Sequence, residues 1–261
     1  MGRMVYFLLL VPAIGFSFVL VSINPLKLIV EEIYPGKVEV LIDPKLNPHM
    51  FTLTPSSMRR IEKADVVVVV GWGFEEWLGK VRKNLCVSGK GMEGLMKENP
   101  HIWLVPSYVA KMARNVERCL EEKFPSLKDE MRKRLDGFLS KLDEEEKKIR
   151  KDLEGRQGVV LELRPALYHF AKEFFGGRYE SVVSQTSPSL TPRRLERVVE
   201  VCRKEGVKAL IVERSSSRRI ALPLLRSCRL KILEVDVLGE KAKNYFEFIE
   251  SVEKVFLEAT M

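Results

Sequence analysis

The chain has 261 residues, with 44 Lys and Arg against 36 Asp and Glu, a formal charge of +8; 46% of residues are hydrophobic and 31% charged. A normal apolar share with only four Cys excludes a mostly disordered, collagenous or disulfide-dense chain, and a single long apolar stretch excludes a polytopic membrane protein. The positive charge does not point to nucleic acid. Acids and bases alternate in RRLERVVEVCRKEG (193–206) and DEEEKKIRKDLEG (143–155), as on solvated helix faces, and there is no RNP, zinc-finger or helix-turn-helix signature.

Met1-Gly2-Arg3 is followed by MVYFLLLVPAIGFSFVLVSI, uncharged from Met4 to Ile23 and long enough to span a membrane. Pro12 and Gly15 interrupt it, and a basic start, apolar stretch and small-residue site at Ala13-Ile14-Gly15 predict a signal peptide over 1–15. The mature chain then begins at Phe16; the alternative is an uncleaved anchor. No Cys precedes Cys86, so no lipoprotein acylation site is expected, and the chain is assigned to a periplasmic or other extracytoplasmic space. Export permits disulfides. Cys86, Cys119, Cys202 and Cys228 allow three pairings that sequence cannot choose among, and Cys119 and Cys202 also suit small buried thiols on amphipathic helices.

From residue 16 to 124, strands and helices alternate. FVLVSI (18–23) reads as a buried strand, followed by a helix to about Ile33 and a strand over 38–42. Thr54-Pro55-Ser56 opens a helix to Lys63 with a hydroxyl cap and Pro in its first turn. The five valines after Asp65 are too β-branched and too few for a helix, and predict a strand buried on both faces and therefore parallel. A helix from Phe74 to about Asn84, a strand over 101–105 and a helix over 107–123 complete an α/β lobe. Through 125–156, Leu127, Met131, Leu135, Phe138, Leu142, Ile149 and Leu153 form one narrow apolar stripe in a highly charged stretch. That predicts a single connecting helix on the order of 40 Å long. The pattern restarts over 157–261, with strands at 159–163, 180–184, 208–213 and 231–235 and helices at 165–174, 192–205, 217–228 and 241–258. The fold class is therefore α/β: two (β/α) lobes with mostly parallel four-stranded sheets, one long backbone helix and an interlobe ligand cleft.

No GxSxG, P-loop or HExxH motif is present, so no enzyme is expected. Ser215-Ser216-Ser217 before Arg218-Arg219 could cradle an anion at a helix start, though ordinary capping explains such serines as well. Other segments are more specific. NPHMFTLTPSSMRRIEKADVVVVVGWGFEEWL (47–78) carries Pro-His, Thr-Pro-Ser, Ala-Asp and Gly-x-Gly-x-Glu-x-Trp-Leu, and HIWLVPSYVAKMARNV (101–116) carries His-x-Trp-Leu-x-Pro. With SPSLTPRRLERVVEVCRKEGVKALIVE (187–213) and LEVDVLG (233–239), they resemble the zinc- and manganese-binding solute-binding proteins of metal ABC importers. The resemblance covers essentially the whole chain after the leader. It implies a monomer that carries a divalent zinc or manganese ion to a membrane permease.

Carried over by motif, the resemblance places His49 and His101 on the first two metal ligands and Asp236 on a fourth, donors that suit Zn²⁺ or Mn²⁺. At the third position, where the family has His or Glu, stands Arg164, which is always protonated and cannot coordinate. Aimed inward it opposes a cation; paired with Asp236 it removes a second ligand. Glu162, two residues earlier on the strand, and His169, a turn into the next helix, are the conceivable substitutes. Alternatives are the same fold with an anion or anionic metal chelate as ligand, held by Arg164 with Arg214 or Arg218, or an exported adhesion protein without a metal site.

Overall fold

Four consecutive valines, Val66–Val69, form a buried strand in the middle of the first sheet. The structure is a computed structural model that describes residues 18–79, 84–184, 189–214, 216 and 218–261; the leader at 1–15 lies outside the described residues. The first lobe comprises β1 (Phe18–Val21), α1 (Asn24–Ile33), β2 (Lys37–Val40), α2 (Pro55–Lys63), β3 (Val66–Val69), β4 (Leu85–Val87), α3 (Glu93–Glu98) and α4 (Pro106–Lys123). The long helix α5 (Lys128–Leu153) follows. The second lobe comprises β5 (Val159–Glu162), α6 (Tyr168–Phe174), β6 (Arg178–Ser181), α7 (Pro192–Lys204), β7 (Ala209–Glu213), α8 (Leu222–Ser227), β8 (Lys231–Val235) and α9 (Tyr245–Ala259).

Both sheets have four parallel strands, ordered β2-β1-β3-β4 and β6-β5-β7-β8. Each order reverses beside its first strand, so a crevice opens at the carboxyl ends of β1 and β3 in one lobe and of β5 and β7 in the other. The stripe on α5 is buried as expected from Met131 to Leu153, with Leu127 partly so. Each such side chain contributes about 1.5–3 kcal/mol relative to exposure. One hydrophobic cluster runs through the first lobe, α5, α9 and the inner face of the second sheet, including Val160, Ile211 and Val235. A separate cluster (Leu161, Leu163, Leu210, Val212) fills the outer face under α7 and α8.

Several expected elements differ. The fourth strand of the first sheet is Leu85–Val87, not 101–105, where His101 precedes a 3-10 turn, Ile102–Leu104. A short buried apolar run does not by itself distinguish strand from turn, and Ile102, Trp103 and Leu104 are buried in that turn form. The helix expected from Phe74 is only a 3-10 turn, Glu76–Leu78, with 80–83 outside the described residues. Gly71 and Gly73 adopt φ of +105° and +73°, and this turn brings Glu75 back onto the strand ends, where it accepts hydrogen bonds from the Val70 and Gly71 amides. The helix expected over 217–228 splits into a 3-10 turn, Arg218–Ala221, and α8, and Ser215 and Ser217 are not described. Cys119 is not a free thiol: it forms a disulfide with Cys86, joining α4 to β4, while Cys202 and Cys228 are buried free thiols.

Candidate metal site between the lobes

His49 and His101 reach one point from separate connections of the first lobe. Asn47 caps the 3-10 turn Pro48–Met50, its Oδ1 accepting the His49 amide at 3.0 Å, and so fixes the backbone from which His49 projects. His101 follows Asn99-Pro100, and the two imidazole centroids are 5.7 Å apart. Phe74 lies edge-on to His49 at 5.2 Å, and Trp103 packs on His101 at 5.0 Å.

Asn99 defines the state of His101. Its Oδ1 accepts the His101 backbone N–H at 3.0 Å and lies 2.7 Å from Nδ1, while its Nδ2 donates to the Pro165 carbonyl of the second lobe. With the amide orientation fixed from both ends, Nδ1 is the protonated nitrogen and the lone pair is left on Nε2, the arrangement a metal-binding imidazole requires. Burial, and then the neighbouring His49 and His169, push the His101 pKa well below its ordinary 6.5. His49 is exposed to solvent on one side. Loss of water on its walled side, followed by the charge of Arg164, lowers its pKa too. Both imidazoles are therefore neutral at neutral pH.

These rings line a cavity with a free volume of about 10 Å³, close to the roughly 10–15 Å³ that one water occupies. Asn47, Phe74, Trp103, Val237 and Leu238 contribute to its wall, and so does Glu213 from the second lobe. Glu75, next to Phe74 in sequence, is buried and accepts the Ser22 hydroxyl at 2.7 Å and the Val70 and Gly71 amides at 2.8 Å each; burial raises its pKa to about 7.

The other residues singled out by sequence lie elsewhere. Asp236 faces a neighbouring pocket, where Oδ2 pairs with Arg214 at 3.1 Å and Oδ1 accepts the Leu238 amide. Arg164 does not pair with it; Arg214 does. Arg164 is half-buried, and its charge is felt by His49. Glu162 is fully buried, accepting from the Tyr179 hydroxyl and the Leu167 amide; burial, then Glu213, raises its pKa well above the ordinary 4.5. His169 is also fully buried, with Nε2 donating to the Asn99 and Leu95 carbonyls. Among the described residues no three His, Cys, Asp or Glu side chains form a ready-made metal cluster. Sequence reasoning missed Asn99 and Glu213. The only signal for Glu213 was its place at the last residue of a fully buried strand, and Asn99 resembled an ordinary loop residue before Pro.

Two same-ordered parallel sheets joined by one long helix, with paired imidazoles between them, define a two-lobe binding protein. The sequence model of the family described as ZnuA, zinc-uptake complex component A, periplasmic, matches residues 19–259, and the chain belongs to that family. A Thermotoga maritima protein provisionally named as metal-binding is 29% identical over 259 residues, 96% of each chain. The manganese ABC transporter substrate-binding lipoprotein PsaA of Streptococcus pneumoniae is 22% identical, covering 80% of this chain and 77% of its own. Among solved structures, a ZnuA crystal structure superposes with a TM-score of 0.85 at 21% identity, covering 94% of this chain and 99% of that one. The periplasmic zinc-binding protein TroA of Treponema pallidum superposes with a TM-score of 0.82 at 16% identity, covering 94% and 99%.

Proposed function

We propose that this chain is the extracytoplasmic binding component of a metal ABC importer, taking a zinc or manganese ion at the interlobe cleft and passing it to a membrane permease as a monomer. The observation that carries the reading is the pair of neutral imidazoles, His49 and His101, on one ion-sized cavity. Neutral imidazole is the form that coordinates, and burial beside Trp103 and Phe74 removes the competing proton. The relatives' names include both zinc and manganese, and the donor set suits either ion.

An extracytoplasmic site of action is supported by the Cys86–Cys119 disulfide, since such bonds persist in oxidising compartments. The streptococcal relatives are named lipoproteins, whereas the first Cys of this sequence is Cys86. An anionic ligand is less well supported, because Arg214 is already met by Asp236 at 3.1 Å and Glu240 at 3.6 Å.

Calorimetric titration and thermal melting of metal-stripped protein test the proposal. Zinc or manganese at about a hundred times its dissociation constant stabilises the fold by about 2.7 kcal/mol, and His49→Ala and His101→Ala should each abolish most of that shift. Equal shifts in wild type and both variants would remove the imidazoles from the site.

A further inference from the structure

We infer that Glu213, rather than Asp236, Glu162 or His169, is the second-lobe ligand that meets an ion held by His49 and His101; this rests on the metal-binding reading above. The argument is one of register. In a strand, side chains alternate between faces, and paired residues of neighbouring strands share a face. β7 and β8 pair Glu213 with Val235, and β5 and β7 pair Glu162 with Ile211. Glu213 therefore shares a face with Ile211, Val235 and Glu162, and that face packs into the core shared with the first lobe. Asp236, one residue beyond Val235, continues the opposite alternation and is tied to Arg214, one residue beyond Glu213. Thus Glu213 lines the cavity with both imidazoles, while Asp236 lines a different pocket.

Charge agrees with position. Glu213 is 9% exposed and shares its face of the sheet with the fully buried Glu162. Two carboxyl groups on one buried face favour a cation in the space beside them. Glu162 cannot be that ligand without giving up the Tyr179 hydroxyl and the Leu167 amide. His169 commits Nε2 to the Leu95 and Asn99 carbonyls. Two imidazoles and one carboxylate would give the ion three donors although Arg164 stands at the third position carried over from the family.

The test is zinc titration of wild type, Glu213→Gln, Glu213→Asp and Asp236→Asn, with cobalt(II) absorption spectra of the same proteins and circular dichroism to verify folding. Glu213→Gln should weaken zinc about tenfold or more and change the cobalt bands; Glu213→Asp, which keeps the charge but shortens the reach, should weaken it too. Asp236→Asn should leave affinity within about threefold and the bands unchanged. Should Glu213→Gln fail to fold, the Glu213→Asp and Asp236→Asn proteins decide alone. Wild-type affinity and bands in the Glu213 variants, with loss in Asp236→Asn, would overturn the assignment and leave the metal-binding reading intact. Failure of wild type to bind zinc or cobalt would overturn both.

Discussion

The Arg164 guanidinium lowers the proton affinity of His49 and would repel any cation brought to it. Replacing it separates these effects. Arg164→Ala should raise the His49 pKa yet tighten zinc about fivefold or more, since at neutral pH the lost repulsion of roughly 1 kcal/mol outweighs a proton that is scarcely bound. Calorimetry at neutral pH measures the second effect, and an NMR titration of the His49 ring the first. Unchanged affinity would show that the guanidinium does not face the ion. The pH dependence of the wild type follows from the same two rings. Because burial lowers both pKa values in the folded protein, protons compete with the metal only at lower pH than they would for a free imidazole, so metal affinity should be nearly flat above neutral pH and fall in acid. Acid also favours the unfolded chain, in which these imidazoles regain their ordinary basicity. A metal affinity that climbs steadily from pH 6.5 upward would contradict the neutral pair.

At the scale of elements, α7 and the end of α8 enclose Cys202 and Cys228 in the outer-face cluster of the second lobe. Burial, and then the adjacent Cys228 thiol, push Cys202 up to about 12, so it carries almost no thiolate at neutral pH to attack a disulfide reagent, and burial keeps the reagent from Cys228 as well. With Cys86 and Cys119 joined, the native protein should react with none of its four Cys, the guanidinium-unfolded protein with two, and the reduced, unfolded protein with four. Two fast-reacting thiols in the native state would place this pair at the surface. Most elements were legible in the sequence because each carries a local cause. Thr54 with Pro55 started α2, the valine run marked β3, and the spacing from Met131 to Leu153 drew α5. The misreadings lie where tertiary contacts decide. His-Ile-Trp-Leu-Val suits a strand by composition, but Trp103 turns to donate its Nε1–H to the Val237 carbonyl across the lobes. Phe74–Leu78 has helical apolar spacing, yet the Gly-Trp-Gly turn commits Glu75 to the strand ends. In the site, His49 and His101 were legible from motif context alone. The charge pairing of Asp236 was not, because it depends on Arg214, a neighbour only through sheet register.

Across the whole molecule, the lobes are joined by more than α5. Trp103 donates to Val237 at 2.9 Å, the Tyr245 hydroxyl donates to the Trp103 carbonyl at 3.1 Å, and Asn24 Nδ2 donates to the Leu238 and Gly239 carbonyls. Gly239 permits this approach: its φ is +63°, and a Cβ there would lie 2.9 Å from Leu28. Because one core spans both lobes, melting should be a single transition. Trp103→Phe, which leaves a buried carbonyl without its donor, should lower stability by about 1–3 kcal/mol without splitting that transition. Two resolved transitions in calorimetry would show the lobes to be energetically independent. The sheets also share one strand order but end in different chemistry. The first lobe offers the cleft imidazole nitrogens among aromatic rings, and the second offers acidic and basic side chains, Glu213 on one pocket and Arg214 with Asp236 on the next. The two jaws therefore sense different properties of whatever enters: one responds to how soft an ion is, the other to how much charge it carries. A drift in ion preference within such a frame can proceed by recharging one jaw while the other is left untouched.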